Sequence, residues 1–156
     1  MLCSTQRGGM SKFAQGKYTV QHPEKYAGKK TPTYRSGWEQ AFMRFCDSND
    51  NIVMWASESI SIPYRNPITG KQSMYVPDFL IQYRNKRNQT VTELIEIKPK
   101  KQSIIESKAS ARDKAVVAVN YAKWEAASKW CKRQGIAFRV VTEEDIFRNG
   151  GSRGQR

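Results

Sequence analysis

Apolar positions along the chain fall into two periods. Trp38, Phe42 and Phe45 recur at the spacing of one helix face. Ser36 precedes them as a helix cap, and Glu39 follows at capping-box distance, so a first helix is expected over residues 37–46. Asp47 to Asn51 reads as a turn. Ile52 to Tyr64 then reads as a strand, Asn66 to Lys71 as a hairpin loop, and Ser73 to Tyr83 as a second strand, broken or bulged near Pro77. A basic turn, Arg84 to Gln89, leads into a third strand, Val91 to Lys98, which Pro99 ends. Ala115, Val116, Val119, Ala122, Ala126 and Trp130 mark a long helix over about residues 110–134, stopped by Gly135. Ile136 to Val141 is a fourth strand, and Thr142-Glu-Glu caps a short last helix. The order α-β-β-β-α-β-α defines an α/β domain, a mixed sheet of about four strands flanked by helices.

No such period exists before residue 36. Residues 1–35 hold seven basic residues and one acid and read as an extended basic arm. Met10 is an alternative natural start, with residues 1–9 as an extension. Residues 36–148 form the folded domain, and 149–156, rich in Gly, Ser and Arg, a flexible tail. Met1 to Gly16 offers no apolar core for a secretory signal, and no run approaches the length of a membrane span.

The whole chain of 156 residues carries a net charge of +13, which predicts a polyanionic partner, nucleic acid before an anionic membrane. Residue types narrow the chemistry. The single histidine, His22, lies in the basic arm, so histidine-based nucleophile activation and histidine-rich metal sites are excluded. Cys3, Cys46 and Cys131 form no Cys-x-x-Cys pair, which argues against zinc. Cys46 and Cys131 sit in apolar helical patterns and read as buried thiols of a reduced protein. Trp38, Trp55, Trp124 and Trp130 read as mostly core. Any catalysis must rest on carboxylates, lysines and a hard metal.

Pro77-Asp78 and Glu96-Ile97-Lys98 meet that requirement. Strand alternation puts Glu96 and Lys98 on one face, with Ile97 turned into the core. Carboxylates on two neighbouring strands can converge on one Mg²⁺, or on Mn²⁺ in its place, as that ion keeps several waters. Lys98 then lies beside the attacking water. A solvent-facing ion pair is the bland reading of Glu-x-Lys. Leu94, Ile95 and Ile97 argue against it, because an uncompensated carboxylate on an interior strand is unfavourable. Asp78, flanked by Tyr75, Val76, Phe79 and Leu80, is likewise out of place in a strand. Lys123, on the long helix, is placed to aim a second cation at a phosphate, although a solvated helix lysine is the equal alternative. Glu58 either joins the acids or faces solvent. From Arg84 to Arg112, eight basic residues stand against three acids. Lys100 and Lys101, with Lys29, Lys30 and Arg35 of the arm, are candidate DNA contacts, holding phosphates rather than bases.

Pro-Asp, a spacer and Glu-x-Lys resemble the motif of the PD-(D/E)xK nuclease superfamily, whose restriction-endonuclease-like core has the element order above. That resemblance implies a further acid on the first helix, here Glu39, and a metal ligand from the main-chain carbonyl of Ile97. The metal ligands would be Asp78, Glu96, Ile97 and Glu39. The wider run Tyr34-Arg-Ser-Gly-Trp-Glu39, Phe42-Met-Arg-Phe-Cys46-Asp, Ile62-Pro-Tyr-Arg-Asn-Pro67, Tyr75-Val-Pro-Asp78-Phe, Glu96-Ile-Lys-Pro-Lys100, Ala122-Lys-Trp124 and Phe138 to Glu143 resembles the head completion nucleases of T-even-like contractile-tailed phages. More distantly it resembles the endonuclease subunit of bacterial transposases. The first resemblance implies an Mg²⁺-dependent endodeoxyribonuclease acting on DNA at the portal of the filled head before the tail joins. It implies portal or neck proteins as partners, and residence in the host cytoplasm during assembly and on the virion. It implies neither a membrane nor a small-molecule cofactor. The alternative is a non-catalytic DNA-binding component of the head or neck. An RNA-binding protein fits the charge but leaves the acids and Lys98 unexplained.

Overall fold

The computed structural model describes residues 15–100 and 110–145. Lys101, residues 1–14 and the tail 149–156 lie outside the described residues. The strands are β1 (Gly16–Lys17), β2 (Thr33–Tyr34), β3 (Ile52–Ser57), β4 (Ile62–Arg65), β5 (Gln72–Tyr75), β6 (Phe79–Arg84), β7 (Thr90–Ile97) and β8 (Ala137–Val141). Among the described residues the helices with both ends described are α1 (Gly37–Ser48) and α2 (Ala111–Gln134), with a 3₁₀ turn at Pro23–Lys25; residues 143–145, after Thr142, are helical as expected.

The central sheet has the order β3-β6-β7-β8, with β7 and β8 parallel and the other pairs antiparallel. It is the mixed four-stranded α/β sheet expected. Alternation splits its side chains between two cores. Phe79, Ile81, Ile95 and Ile97 pack with Phe42, Met43 and Cys46 of α1. Leu94, one step out of phase, packs with Ala127 and Cys131 of α2. Ile52 and Trp55 are three apart yet share the α1 face, because the register shifts between Ile52 and Met54.

Two long strands expected from the pattern are each divided. Ile52 to Tyr64 breaks into β3 and β4 at Glu58, whose φ is +50°. Ser73 to Tyr83 breaks into β5 and β6 around Pro77 and Asp78. β4 and β5 pair only with each other, as a separate ribbon that packs against α2. The main-chain N–H of Glu58 donates to the Asp78 carbonyl at 2.9 Å, so the two breaks face each other. The helix of residues 110–134 is found, but its buried stripe is Val117, Asn120, Ala127 and Cys131. Val116, expected on the apolar face, is exposed. Ser110 caps this helix through the Asp113 N–H, and Gly135 ends it with φ +76°.

From residue 15 onward the basic N-terminal segment lies against the domain. It has little regular structure, as its lack of period implies. Tyr18, Val20, Tyr26 and Tyr34 nevertheless cover the α1-side core. Its anchor is Asp47, expected in a turn but buried at the end of α1. The carboxylate accepts from the Tyr18 hydroxyl at 2.8 Å, the Gln21 N–H at 2.7 Å and the His22 N–H at 3.0 Å. Lys25 donates to the carbonyls of Asp47 and Asn49, neutralising the negative end of α1. Among the described residues no helix is long and apolar enough to cross a membrane.

Candidate active site

Glu96 occupies the penultimate position of β7, opposite Val140 of β8 and one residue past the last β6 pair, Phe79 with Ile95. It is buried at 6% exposure, which requires partners. It has two. The Tyr75 hydroxyl donates to Oε1 at 2.7 Å, and Lys98 Nζ lies 3.3 Å from Oε2. Glu96 and Lys98 thus lie on the α2 face of the sheet, and Ile97 packs on the α1 face. The Lys98 main chain is fixed in turn by donation to the Val141 carbonyl at 2.9 Å.

Asp78 enters from the kink between β5 and β6. Its Oδ2 accepts the Ile97 N–H at 2.7 Å, which sets its carboxylate beside the Glu96 strand. Burial first, then the charges of Glu96 and Glu39, raise its pKa well above the usual aspartate range. Glu39 completes the acidic group from the first turn of α1. Ser36 Oγ accepts the Glu39 N–H at 3.1 Å, and Glu39 Oε1 accepts the Arg35 N–H at 3.0 Å. That is a capping box displaced by one residue, so Glu39 caps the helix and also feels the site. Its pKa is raised by burial and further by Glu58 and Glu96.

Positive charge approaches from two sides. Lys123, midway along α2, stands 5.7 Å from the Tyr75 ring centre and 5.9 Å from that of Tyr64. Burial and the nearby Lys98 lower its pKa. On the other side Arg35 forms an ion pair with Glu58. Lys100 is joined to the residues that follow β8, its N–H donating to Glu143 and its ammonium to Glu144. Lys29 and Lys30 are exposed beside Arg35.

The structure therefore brings Asp78, Glu96, Lys98, Glu39 and Lys123 to one place and sets Arg35 and Glu58 beside Glu39; Lys29 and Lys30 line a cavity with Arg35 and Glu58. Sequence reasoning did not single out Tyr75, which holds Glu96 in orientation, because a tyrosine in a strand carries no signal of its partner.

The donors here are hard oxygens: the Asp78 and Glu96 carboxylates on adjacent chain segments, joined through the Ile97 main chain, and the Glu39 carboxylate. Among the described residues no three His, Cys, Asp or Glu side chains form a ligand set on their own. Such a site suits an ion that keeps several waters, and the raised pKa of Asp78 marks the uncompensated negative charge such an ion would relieve.

That excess charge has a measurable consequence. A carboxyl whose folded pKa lies above its unfolded value opposes folding at neutral pH. The penalty fades as pH falls toward the unfolded value. Asp78→Asn removes the charge and keeps an acceptor for the Ile97 N–H. In EDTA at pH 7 it should raise Tm by a few degrees, and the gain should vanish near pH 4. A calorimetric Tm at or below the parental value would show that the Asp78 charge is already balanced.

A mixed sheet thus lies between α1 and α2, with two acids and a lysine meeting where β6 and β7 adjoin. The chain belongs to the TnsA-like endonuclease N-terminal family, whose pattern matches residues 49–143. It is similar to the head completion nuclease of Enterobacteria phage T4, with 35% identity over 142 residues, covering 84% of this chain and 92% of the phage protein. No solved structure matches the chain.

Proposed function

We propose that the protein is a PD-(D/E)xK endodeoxyribonuclease, dependent on Mg²⁺ or Mn²⁺, that cuts DNA during completion of a phage head. The observation that carries the chemistry is the meeting of Asp78, Glu96 and Lys98, and the similarity to a head completion nuclease supports the biological setting. Asp78, Glu96 and the Ile97 carbonyl would hold the ion, with Glu39 behind them. When bound, it would neutralise the attacked phosphate and lower the pKa of a coordinated water. Glu96 holds Lys98 at the site, and the Lys98 ammonium orients the attacking water and stabilises the charge gained by the phosphate. Lys123, pinned over two tyrosine rings, offers that phosphate a second cation. On this reading the protein acts at the portal of the filled head before tail attachment, in the host cytoplasm and on the virion, with portal or neck proteins as neighbours.

Supercoiled plasmid incubated with the protein tests this. Cleavage should require Mg²⁺ or Mn²⁺, stop with EDTA, and be lost in Glu96→Ala. No histidine is available there as a base, and chelator-resistant cleavage would refute the mechanism. Binding has a second readout: Mg²⁺ should raise the Tm of the parent and leave that of Asp78→Asn nearly unchanged.

A further inference from the structure

A cavity of about 550 Å³ opens between residues 26–35 and residues 57–59 at the end of β3. Lys29, Lys30 and Arg35 lie along one wall, and Ser57, Glu58 and Ser59 along the other. Its loop wall is held in place. The Tyr26 hydroxyl donates to the Lys30 carbonyl at 3.0 Å, Ala27 N–H to the Trp55 carbonyl at 2.8 Å, and Tyr18 N–H to the Pro32 carbonyl at 2.9 Å. Gly28 lies so close to the Tyr26 ring that a Cβ there would fall 2.2 Å from its hydroxyl oxygen.

Three cations and one acid line this groove, so it attracts an anion. The acid is also its internal competitor. Glu58 is fixed by its left-handed backbone and by its N–H bond to the Asp78 carbonyl, and it pairs with Arg35 through both guanidinium nitrogens. Arg35 and Glu58 are adjacent to the catalytic acids as well: the Arg35 N–H binds Glu39, and Glu58 meets the Asp78 main chain. A guanidinium fork fits a phosphate as well as a carboxylate.

We propose that this groove holds a backbone phosphate of the DNA strand being cut, close to the scissile bond, and that Arg35 exchanges Glu58 for that phosphate when DNA binds. The inference rests on the nuclease reading above. In the resting protein Glu58 masks Arg35. Removing the mask strengthens DNA binding, and removing Arg35 makes the mask irrelevant.

Anisotropy of a labelled duplex oligonucleotide in EDTA, across a range of salt, tests this. Glu58→Gln should bind about threefold more tightly, the scale of one exposed ion pair. Arg35→Ala should bind about tenfold more weakly, the scale of one charge-assisted bond. The double variant should match Arg35→Ala alone. A gain from Glu58→Gln that persists without Arg35 would be a general charge effect and would overturn the exchange, as would no gain at all. Lys29→Gln and Lys30→Gln lie on an exposed loop and do not depend on Arg35. Each should flatten the salt dependence by about 0.9 in log–log slope, and a parental slope in both would take the DNA off this groove. A parent that cuts plasmid while all these variants bind like it refutes the groove and leaves the nuclease. A parent that neither binds nor cuts DNA refutes both.

Discussion

Lys98→Ala should slow DNA cleavage by about a thousandfold in single-turnover experiments at saturating DNA, with affinity changed by no more than about threefold. The ammonium is 3.3 Å from Glu96 Oε2, and its main chain is pinned to β8, so it is presented to the site rather than to bulk solvent. Its charge matters most when the phosphate gains charge, which is a loss in rate and not in binding. Lys98→Arg should recover little, because a guanidinium is longer and demands a fork of acceptors where Glu96 offers one oxygen. A Lys98→Ala protein that cuts at the parental rate would reduce Lys98 to a counter-ion for Glu96. The same experiment on Lys123→Ala ranks the two cations. A loss confined to rate would put Lys123 on the reacting phosphate, and a loss confined to affinity on a neighbouring one.

Asp47→Ala should destabilise the protein by about 3 kcal/mol, measured by urea unfolding at pH 7, since it strands three donors that share one buried carboxylate. Burial by itself would push the Asp47 pKa up. The bonds from Gln21, Tyr18 and His22 outweigh that and hold it below the usual range. The sign follows. A carboxyl lowered in the folded state stabilises fully above its unfolded pKa and loses that contribution as pH falls through the folded value. The difference between parent and Asp47→Ala should therefore hold from pH 7 to about pH 5 and shrink only in stronger acid. A constant difference down to pH 2 would show that the loss is one of packing.

Much of this was legible before any coordinates. Trp38, Phe42 and Phe45 marked α1, the run from Leu94 to Ile97 marked a buried strand, and Gly135 marked the end of α2. These signals are local, and they find the elements even where a face residue, Phe45 or Val116, ends up exposed. The two broken strands were less legible for a physical reason. Glu58 takes up a left-handed backbone that nothing in Glu advertises, and a hydrogen bond to Asp78, twenty residues away, holds it there. Asp47 failed the same way. Followed by Ser, Asn, Asp and Asn it looks like a turn, and its partners Tyr18, Gln21 and His22 lie more than twenty residues earlier. Asp78 and Glu96 stand out in the sequence because their residue types are out of place in apolar strands. The aromatic support of Tyr75 does not, because tyrosine is at home there.

β3 is the outer strand of the central sheet, and Ile52-Val-Met-Trp-Ala-Ser57 is uncharged along its whole length. Such an edge invites a second copy to pair with it and grow into an aggregate. Here the chain blocks its own edge. Tyr26 bridges to Trp55, the Ala27 N–H takes the Trp55 carbonyl, and the Tyr26 hydroxyl meets the Ser57 N–H. The segment that joins the substrate groove to the core is therefore also a guard against self-association. A truncation made to trim the protein to its nuclease core at residue 36 would remove that guard, and its first symptom would be insolubility rather than lost catalysis.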